Sequence, residues 1–457
     1  MTAPADNPGF PLGGDDADPA LADDTGATFT YGELRSAVDA AAAEIAHHGG
    51  GVAFIGTAAT AAVVIDVLAC LQAGVAAVLL GPSNDADLAR LAAAYRPDIA
   101  RNIDVPTGGA AGRTAGDTLG DGDAAMRTAL LLPTSGSTGS PKFARISLAS
   151  LVASARSIAA VLGLGAGERG LANLPLHYSY GLSVVVSHLV SGATVVLTGH
   201  SAVRPELWDV VRNQQVTSIP GVPYSYHLYR RVGVLDMDLP HLRTMTQAGG
   251  RLDPAVVREL HDRLTTQGRR LFVMYGQTEA TSRMSVLDPA DLPEHAGSVG
   301  HPVPSGAFRI AGPGDDGVGE VLYSGPNVML GYAHGRDDLA KPDELGGNLA
   351  TGDLGRLDDG GRLWLTGRIK RIVKLYGERV SLDDIEALAS PWGIAVATDL
   401  GDDRLGVFVE GRVPADASRS LERQLGVPPR TVQVVALDAL PRTSSGKVDY
   451  TKLGVDG

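Results

Sequence analysis

The stretch that decides the fold of this chain is Thr134-Ser135-Gly136-Ser137-Thr138-Gly139-Ser140-Pro141-Lys142. It places hydroxyl side chains, two glycines and a lysine within nine residues. Glycines allow backbone N–H groups to approach an anion closely, hydroxyls add further donors, and a lysine supplies a mobile positive charge. The stretch therefore predicts a loop that binds a polyphosphate.

This loop differs from the usual nucleotide P-loop. Only two residues separate Gly136 from Gly139, and Phe143 rather than Ser or Thr follows Lys142. A flexible Ser/Gly linker is the alternative interpretation. The apolar residues 130–132 just before the loop favour a strand that leads into it, which a linker would not need.

Around the loop, helical and strand patterns alternate along the chain. Residues 28–49 place apolar side chains at helical spacing, and the apolar run 52–55 that follows is typical of a strand. The helical set is Tyr31, Leu34, Val38, Ala42 and Ile45. A repeated strand–helix order predicts an α/β fold whose large N-terminal domain has parallel-rich sheets covered by helices.

Composition excludes several classes of protein. The 457 residues exceed one ordinary domain, and 39 Lys plus Arg against 52 Asp plus Glu give a net charge of −13, which disfavours nucleic acid and anionic membranes as partners. The single Cys70 excludes an internal disulfide framework and fits a reducing, cytoplasmic compartment. Residues 61–81 are apolar, but Asp66, Gln72 and Gly74 interrupt them, which favours a buried helix and a strand over a membrane span.

Four further motifs follow the loop, and together they resemble those of the adenylate-forming superfamily of acyl-CoA synthetases, luciferases and nonribosomal peptide adenylation domains. The motifs are Tyr275-Gly276-Gln277-Thr278-Glu279, Thr351-Gly352-Asp353, Gly367-Arg368-Ile369-Lys370 and Pro441-Arg442-Thr443-Ser444-Ser445-Gly446-Lys447. The resemblance spans roughly residues 25–452. It implies a large AMP-binding domain followed by a small, mobile α+β domain.

Composition and the resemblance together predict a division of the chain into four parts. They are a flexible acidic leader (1–24), the large N-terminal domain (25–366), a hinge (367–370) and the small C-terminal domain (371–457). Lys370 stands where the superfamily pivots its small domain, and a charged, exposed residue suits a hinge that stays solvated.

The nucleotide contacts are expected in the same motifs. Thr278 can donate its hydroxyl to the α-phosphate, and Glu279 offers the hard oxygen ligand that Mg²⁺ prefers. By resemblance, Asp353 accepts from the ribose hydroxyls, and Tyr275 offers a flat face to adenine. The expected ATP- and AMP-binding residues are Thr134, Ser135, Gly136, Ser137, Thr138, Gly139, Lys142, Gly249, Gly250, Tyr275, Gly276, Gln277, Asp353 and Arg368.

Lys447 is the strongest candidate for catalysis, together with Thr278, Glu279 and His177. A carboxylate that attacks ATP forms an in-line transition state in which negative charge develops around the α-phosphorus. A lysine can place a positive charge between the two anions. An ordinary mobile lysine is the alternative, which the complete motif 441–447 makes less favoured.

The acid pocket is expected near residues 174–181, in the place of the superfamily's aromatic gate, where His177 or Tyr178 would approach the carboxylate. Amino-acid-activating members usually have an aspartate here, and this segment has none, which disfavours an α-amino acid. The expected pocket residues are Tyr178, Tyr180, Tyr224, Gln247, Ser282 and Arg283, with Tyr226 and His227 as weaker candidates. These polar groups favour an aryl or small polar acid over a long aliphatic one.

The sequence thus predicts an ATP- and Mg²⁺-dependent ligase that makes an acyl adenylate, releases pyrophosphate and transfers the acyl group to a thiol. The thiol is coenzyme A or a carrier protein, and the short small domain leaves this acceptor open. One alternative is an enzyme of secondary metabolism that activates an unusual oxyacid such as nitrite, in the manner of a diazotase, or transfers to an amine. The least favoured alternative is a degenerate nucleotide-binding protein, because Lys142, Glu279 and Lys447 are all retained.

Overall fold

Two compact units make up the chain. A computed structural model describes residues 9–47, 51–107, 126–134, 142–376, 378–443 and 446–453. The first unit comprises residues 1–308 and 323–349, and the second comprises 309–322 and 350–457. Residues 350–366 thus belong by their contacts to the second unit, while the rotation expected about 367–370 stays a prediction.

The elements of the first part of the chain alternate as the sequence pattern predicts. In chain order they are β1 (Pro19–Asp23), β2 (Thr28–Thr30), α1 (Tyr31–His47), β3 (Val52–Gly56), α2 (Ala61–Ala73), β4 (Ala76–Leu80), α3 (Asp85–Tyr95), β5 (Ile99–Arg101), β6 (Thr128–Pro133), β7 (Phe143–Ser147), α4 (Leu148–Leu162), β8 (Arg169–Ala172), α5 (Ser179–Val190), β9 (Thr194–Leu197), α6 (Pro205–Asn213), β10 (Ser218–Gly221), α7 (Pro223–Val232), β11 (Thr244–Gln247), α8 (Pro254–Thr265), β12 (Arg270–Tyr275), β13 (Ser285–Leu287), α9 (Leu292–His295) and β14 (His301–Pro302).

The remaining elements are shorter and mostly strands. They are β15 (Ala307–Ala311), β16 (Gly319–Ser324), β17 (Gly331–Ala333), β18 (Asn348–Leu357), β19 (Leu363–Arg368), β20 (Ile372–Leu375), β21 (Glu378–Ser381), α10 (Leu382–Ala389), β22 (Gly393–Gly401), β23 (Arg404–Gly411), α11 (Ala417–Leu425) and β24 (Val432–Leu437).

Two parallel-rich sheets form the first unit, which confirms the predicted α/β class. The larger has the order β14-β13-β12-β11-β10-β8-β9-β1-β2, with parallel pairing from β12 to β1 and antiparallel strands at both ends. The other has the order β17-β7-β6-β4-β3-β5. Because β10, β11 and β12 run in parallel, their carboxyl ends meet at one edge, which is where ligands gather in such sheets.

Strand β1 corrects the prediction of a solvated leader over residues 1–24. Ala20, Leu21 and Ala22 are at most 5% exposed, and β1 pairs in parallel with β9 and antiparallel with β2. The three apolar residues lie among prolines and aspartates and are too few to show a period. Their partner strand β9 is remote in sequence, so local pattern does not reveal the pairing.

The core of the first unit follows the predicted periodicity. All five apolar residues named for α1 are buried, and β4 is buried along its whole length. Cys70 lies inside α2, where burial raises the pKa of its thiol to about 12, as expected of a core residue. Within the described ranges, no helix is both long and apolar enough to cross a membrane.

The second unit contains three small sheets. Strands β15-β16-β18-β19 form one, β20 and β21 form a hairpin, and β22-β23-β24 form the third. Helix α10 contacts β22 and β23 and contributes to an apolar cluster with Leu375, Ile385 and Val407. This unit therefore has a core of its own.

Candidate active site

Tyr332 joins two of the predicted motifs. Its hydroxyl donates to Oε1 of Glu279 at 2.9 Å, and the ammonium of Lys142 lies 3.7 Å from the centre of its ring. Burial, followed by the charge of Glu279, raises the pKa of the Tyr332 phenol, so the hydroxyl stays a donor. The end of the phosphate loop and the Y-G-x-T-E motif are thus brought together by an aromatic residue that sequence reasoning missed.

The two ends of the predicted phosphate loop are joined by strand pairing and a backbone hydrogen bond. Strands β6 and β7 pair antiparallel up to Pro133 and Phe143, and the backbone N–H of Thr134 donates to the Lys142 carbonyl at 3.3 Å. The predicted strand that leads into the loop is β6, and β7 follows the loop. Five residues expected to bind phosphate lie outside the described residues: Ser135, Gly136, Ser137, Thr138 and Gly139.

Thr278 and Glu279 lie in a short 3-10 turn directly after β12. The Oγ1 atom of Thr278 is 3.2 Å from the Oγ atom of Ser179, which begins helix α5. The Glu279 carbonyl accepts from the N–H of Met329 at 2.9 Å, so the turn is held from a third segment. The hydroxyl predicted to contact the α-phosphate thus sits at the carboxyl edge of the sheet, beside a helix start.

A tight bulge between β12 and β13 follows this turn. Thr281 and Ser282 have φ angles of 48° and 90°, which are unusual for residues with side chains and cost of order 1–3 kcal/mol each. A Cβ atom on Gly276 would lie 1.6 Å from the Ser282 carbonyl oxygen. Only glycine fits at that position, because the backbone of the bulge folds directly onto it.

Asn327 holds the bulge in place. Its Nδ2 group donates to the carbonyls of Ala280 at 2.8 Å and Arg283 at 2.7 Å, and its Oδ1 accepts from the Tyr323 hydroxyl at 2.8 Å. The Asn327 side chain is 3% exposed. Sequence reasoning missed this residue, although the run 325–332, Gly-Pro-Asn-Val-Met-Leu-Gly-Tyr, combines turn residues with polar groups and could have been singled out.

His177 occupies a tight, buried position at the predicted gate. Its Nδ1 atom is 2.8 Å from Oγ1 of Thr57, and the Thr57 hydroxyl also lies 3.0 Å from the Leu80 carbonyl. A Cβ atom on Gly81 would lie 2.6 Å from the imidazole ring. Burial lowers the pKa of His177, so the ring is neutral at physiological pH and can exchange a hydrogen bond without carrying charge.

Tyr178 faces the glycine pair that was expected to lie against adenine. A Cβ atom on Gly249, whose φ is 81°, would lie 2.2 Å from the Tyr178 hydroxyl. The carbonyl of Gly250 accepts from Nε2 of Gln247 at 2.8 Å. Three of the predicted residue groups, the gate, the glycine pair and the end of β11, therefore lie together.

Tyr180 and Arg283, two of the residues expected to line the acid pocket, are buried and lie against each other. The Tyr180 hydroxyl lies 2.7 Å from Oγ1 of Thr246, and the guanidinium carbon of Arg283 lies 4.7 Å from the centre of the Tyr180 ring. The Ser282 hydroxyl donates to Oγ of Ser183 at 3.2 Å. These polar residues are thus brought together, and their role in binding the acid stays a prediction.

The other pocket candidates differ in burial. Tyr224 is half-buried, whereas Tyr226 is fully buried and packs on Tyr229 with ring centres 5.6 Å apart. His227 is exposed. A helical segment of alternating aromatic and polar residues in α7 places its members on different faces, which a list of polar residues does not distinguish.

In the second unit, Asp353 and Arg368 form an ion pair across β18 and β19. Nε of Arg368 lies 2.8 Å from Oδ1 of Asp353, and the carboxylate is 4% exposed whereas the guanidinium is 57% exposed. The Thr351 hydroxyl donates to the Val321 carbonyl at 2.7 Å and accepts from the Asp353 N–H. The two predicted nucleotide contacts are therefore neighbours, and their role stays a prediction.

Lys447 and Lys370 lie in the second unit as well. Lys447 closes a turn in which the N–H of Thr443 donates to its carbonyl at 2.7 Å, and its side chain is half-buried. Lys370 lies in a 3-10 turn (Ile369–Arg371) and is exposed. The catalytic role of the first and the hinge role of the second stay predictions.

The donor set around Glu279 fits a magnesium ion that arrives with phosphates. Among the described residues, no group of three or more His, Cys, Asp or Glu side chains could enclose a metal ion. Mg²⁺ that bridges phosphates needs only one or two carboxylates, since water and phosphate oxygens complete its octahedron. Glu279 offers one carboxylate, fixed in orientation by the Tyr332 hydroxyl.

Comparison with known proteins agrees with this geometry. A model of the family described as AMP-binding enzyme matches residues 106–333. The chain is 35% identical to indoleacetate–CoA ligase of Aromatoleum aromaticum over 70% of this chain and 65% of that protein. It is 33% identical to feruloyl-CoA synthase of an Amycolatopsis species over 70% and 68% of the two chains. The matched part thus spans about two thirds of these relatives.

Solved structures show the same fold. The o-succinylbenzoate coenzyme A synthetase of Bacillus subtilis in complex with ATP and magnesium ion superimposes with a TM-score of 0.74 at 24% identity, over 95% of this chain and 96% of that one. The order of motifs, the two parallel-rich sheets and the match to relatives define an AMP-binding α/β fold. The chain belongs to the AMP-binding enzyme family, the adenylate-forming superfamily that its motifs resemble.

Proposed function

We propose that this protein is an ATP- and Mg²⁺-dependent ligase that activates a carboxylic acid as an acyl adenylate and transfers the acyl group to coenzyme A. An aryl or small polar acid is favoured. The relatives named indoleacetate–CoA ligase, feruloyl-CoA synthase and 2-succinylbenzoate–CoA ligase support this acid class and this acceptor. A carrier protein as acceptor is the second candidate.

One observation carries the proposal. Lys142 and Glu279 flank Tyr332, and Thr278 lies next to Glu279 at the carboxyl end of β12. Phosphoryl and nucleotidyl transfer require three kinds of group. They are a positive side chain for the leaving phosphates, a carboxylate for the metal ion bound to the phosphates, and a hydroxyl for the α-phosphate.

In the proposed reaction, a carboxylate oxygen of the acid attacks the α-phosphorus of ATP. The bond to the bridging oxygen breaks, and pyrophosphate leaves with its charge held by Lys142 and the loop. Thr278 donates to an α-phosphate oxygen, and neutral His177 orients the acid without forming an ion pair that would weaken its carboxylate as a nucleophile. Bound Mg²⁺ supplies Lewis-acid stabilisation of the phosphate charge.

Lys447 supplies further positive charge in the adenylation step, where two anions are brought together. In the second step, the thiol attacks the acyl carbonyl, the acyl–phosphate bond breaks, and AMP leaves. Adenylation is expected to depend on Lys447 much more than thioester formation from a preformed acyl adenylate does.

Pyrophosphate release tests this proposal. The full chain is given ATP, Mg²⁺ and a panel of aryl and small polar acids, with and without coenzyme A, and thioesters are detected by mass spectrometry. Lys447→Ala is expected to lower acid-dependent pyrophosphate release by about 10²-fold. The matched control is Lys452→Ala, since Lys452 is an exposed lysine paired with Asp449 in the same unit. Release of ADP instead of pyrophosphate, or equal loss in both variants, would overturn the proposal.

A further inference from the structure

Arg283 is a fully buried cation without a counter-charge. Its side chain is 2% exposed, and its guanidinium makes no hydrogen bond and no ion pair with any residue that the structure describes. Its neighbours are the hydroxyl-bearing rings of Tyr180 and Tyr178. Burial lowers the pKa of Arg283, and only these two tyrosines oppose the effect electrostatically.

Arg145 is a buried arginine of the same fold whose charge is paired. It is 0% exposed, and its terminal nitrogens reach Oε2 of Glu344 at 2.8 Å and the carbonyls of Lys341 at 2.7 Å and Leu330 at 3.2 Å. A buried guanidinium normally has such partners, because removing an ion from water costs several kcal/mol. Arg283 has none of them.

The contact with the Tyr180 ring does not compensate for this burial. A cation over an aromatic face contributes about 0.5–2 kcal/mol, which is less than the desolvation of a guanidinium. A buried charge without a partner is explained when a ligand supplies the opposite charge, and buried polar groups without partners are therefore candidates for ligand-binding sites. The strained bulge at Thr281 and Ser282, which carries Arg283, is a second mark of a functional position.

A second unpaired donor lies in the same region. The buried hydroxyl of Tyr226 has no hydrogen-bond partner among the described residues. Burial raises the pKa of the Tyr226 phenol, and the nearby Tyr180 raises it further. Tyr180 also acts on the pKa of Arg283, so it is a neighbour of both Tyr226 and Arg283.

Helix α5 relates the position of Thr278, the proposed α-phosphate contact, to the bulge that carries Arg283. Ser179 begins the helix beside Thr278, and Ser183, about one turn further, accepts from the hydroxyl of Ser282, which precedes Arg283 in sequence. Four residues of helix advance ~6 Å along the axis. The helix thus separates the Thr278 contact from the Ser282 contact by a length that a short carbon chain can span, and Arg283 follows Ser282 directly.

We propose that Arg283 binds a second anionic group of the acid substrate, so that the pocket selects short dicarboxylic acids. The carboxylate near Thr278 is adenylated, and the distal carboxylate pairs with the guanidinium. A guanidinium such as that of Arg283 binds a carboxylate with two parallel hydrogen bonds, because its planar donors match the two carboxylate oxygens. This inference rests on the proposed adenylation and names its substrate class.

The experiment compares acids that differ only in the distal charge. Succinate and glutarate are each tested against the monoamide and against the monocarboxylic acid of the same chain length, by pyrophosphate release with the full chain. The wild type is expected to prefer each dicarboxylate over its monoamide by about 10²-fold or more in kcat/KM, because the amide leaves a buried guanidinium unpaired.

Arg283→Met keeps the length of the side chain and removes its charge. It is expected to abolish the preference by lowering kcat/KM for the dicarboxylates alone, and Arg283→Lys is expected to retain part of it. Without ligand, Arg283→Met is expected to melt at or above the wild-type temperature, because an unpaired buried charge is removed. The control Arg145→Met is expected to melt lower, because Glu344 and three carbonyls lose their partner.

Several outcomes would overturn the inference. One is equal use of dicarboxylates and monoamides by the wild type, and another is an equal loss for all acids in Arg283→Met. If no acid of this panel is adenylated, calorimetric titration decides, since absence of binding of both succinate and glutarate overturns the inference. Adenylation of aryl acids in the wider panel would then leave the proposed function standing, so the two failures are distinguishable.

Discussion

Substitution of Asn327 by alanine is expected to destabilise the first unit strongly. The change leaves two carbonyl oxygens, those of Ala280 and Arg283, and the hydroxyl of Tyr323 without their partner. Each buried polar group left unpaired costs ~1–3 kcal/mol. A water molecule in the vacated space restores part of this loss, because the space is polar. We therefore expect a loss of about 3 kcal/mol in the free energy of unfolding.

Thermal unfolding followed by circular dichroism measures this effect. At about 2–4 °C per kcal/mol, the expected fall in Tm is roughly 6–12 °C. Asn348→Ala is the matched control, since Asn348 makes two hydrogen bonds of similar length, to Gly346 at 2.9 Å and from Ser324 at 2.7 Å, but is exposed. Its Tm is expected to stay close to that of the wild type.

A second substitution separates hydrogen bonding from size. Asn327→Asp keeps the shape of the side chain but turns an acceptor oxygen toward the two carbonyls, so we expect a loss at least as large as in Asn327→Ala. If Asn327→Ala melts within error of Asn348→Ala, the bulge is not held by Asn327 and the reasoning is refuted. If Asn327→Asp melts like the wild type, size rather than donation is what matters, which is equally contrary to it.

Three further predictions concern the same unit. Tyr332→Phe keeps the ring under the loop lysine but removes the hydroxyl that orients Glu279. We expect a loss of about 1 kcal/mol in unfolding free energy and a higher Mg²⁺ concentration for half-maximal pyrophosphate release, measured by titration. Gly276→Ala is expected to unfold or to melt far lower, because its Cβ would overlap a backbone oxygen, whereas Gly165→Ala, where a Cβ meets nothing within 4 Å, is expected to melt like the wild type. Burial lowers the pKa of His188 below its ordinary 6.5, so below pH 6.5 the unfolded chain binds more protons than the folded chain. The contribution of His188 to stability is therefore constant above pH 6.5. As the pH falls below 6.5, stability is expected to decrease by up to ~1.4 kcal/mol per pH unit. Denaturant titrations across this pH range should show a flatter profile for His188→Gln, and an unchanged slope would contradict the assignment.

The sequence predicted the elements whose pattern is local. The helical spacing of apolar residues in α1 correctly predicts the five side chains that are buried. The apolar run before Tyr275 is strand β12, and the Y-G-x-T-E motif begins at its end. These features follow from spacing along one segment, because a helix or strand face repeats with a fixed period. The five motifs then identify the superfamily, since their order is independent of any single spacing.

The features that sequence reasoning missed depend on contacts between remote segments. Strand β1 is defined by its pairing with β9, and three apolar residues show no period. The roles of Asn327 and Tyr332 arise because the segment 325–332 lies against the turn after β12, and polar residues carry no periodic signal of burial. Arg283 was expected in the pocket, but its lack of a partner is visible only in three dimensions.

Tyr332 also explains how two opposite charges remain available at one site. Lys142 and Glu279 both contact this residue, the first through the ring face and the second through the hydroxyl, and they form no ion pair with each other. A direct pair would turn each charge toward the other and away from a ligand, and breaking it on binding would cost part of the binding energy. With the aromatic spacer, the lysine is oriented by the ring quadrupole and the carboxylate by one neutral donor. Both charges therefore stay available for the polyphosphate and the cation that the proposed function requires, and preorganised charges of this kind stabilise a transition state.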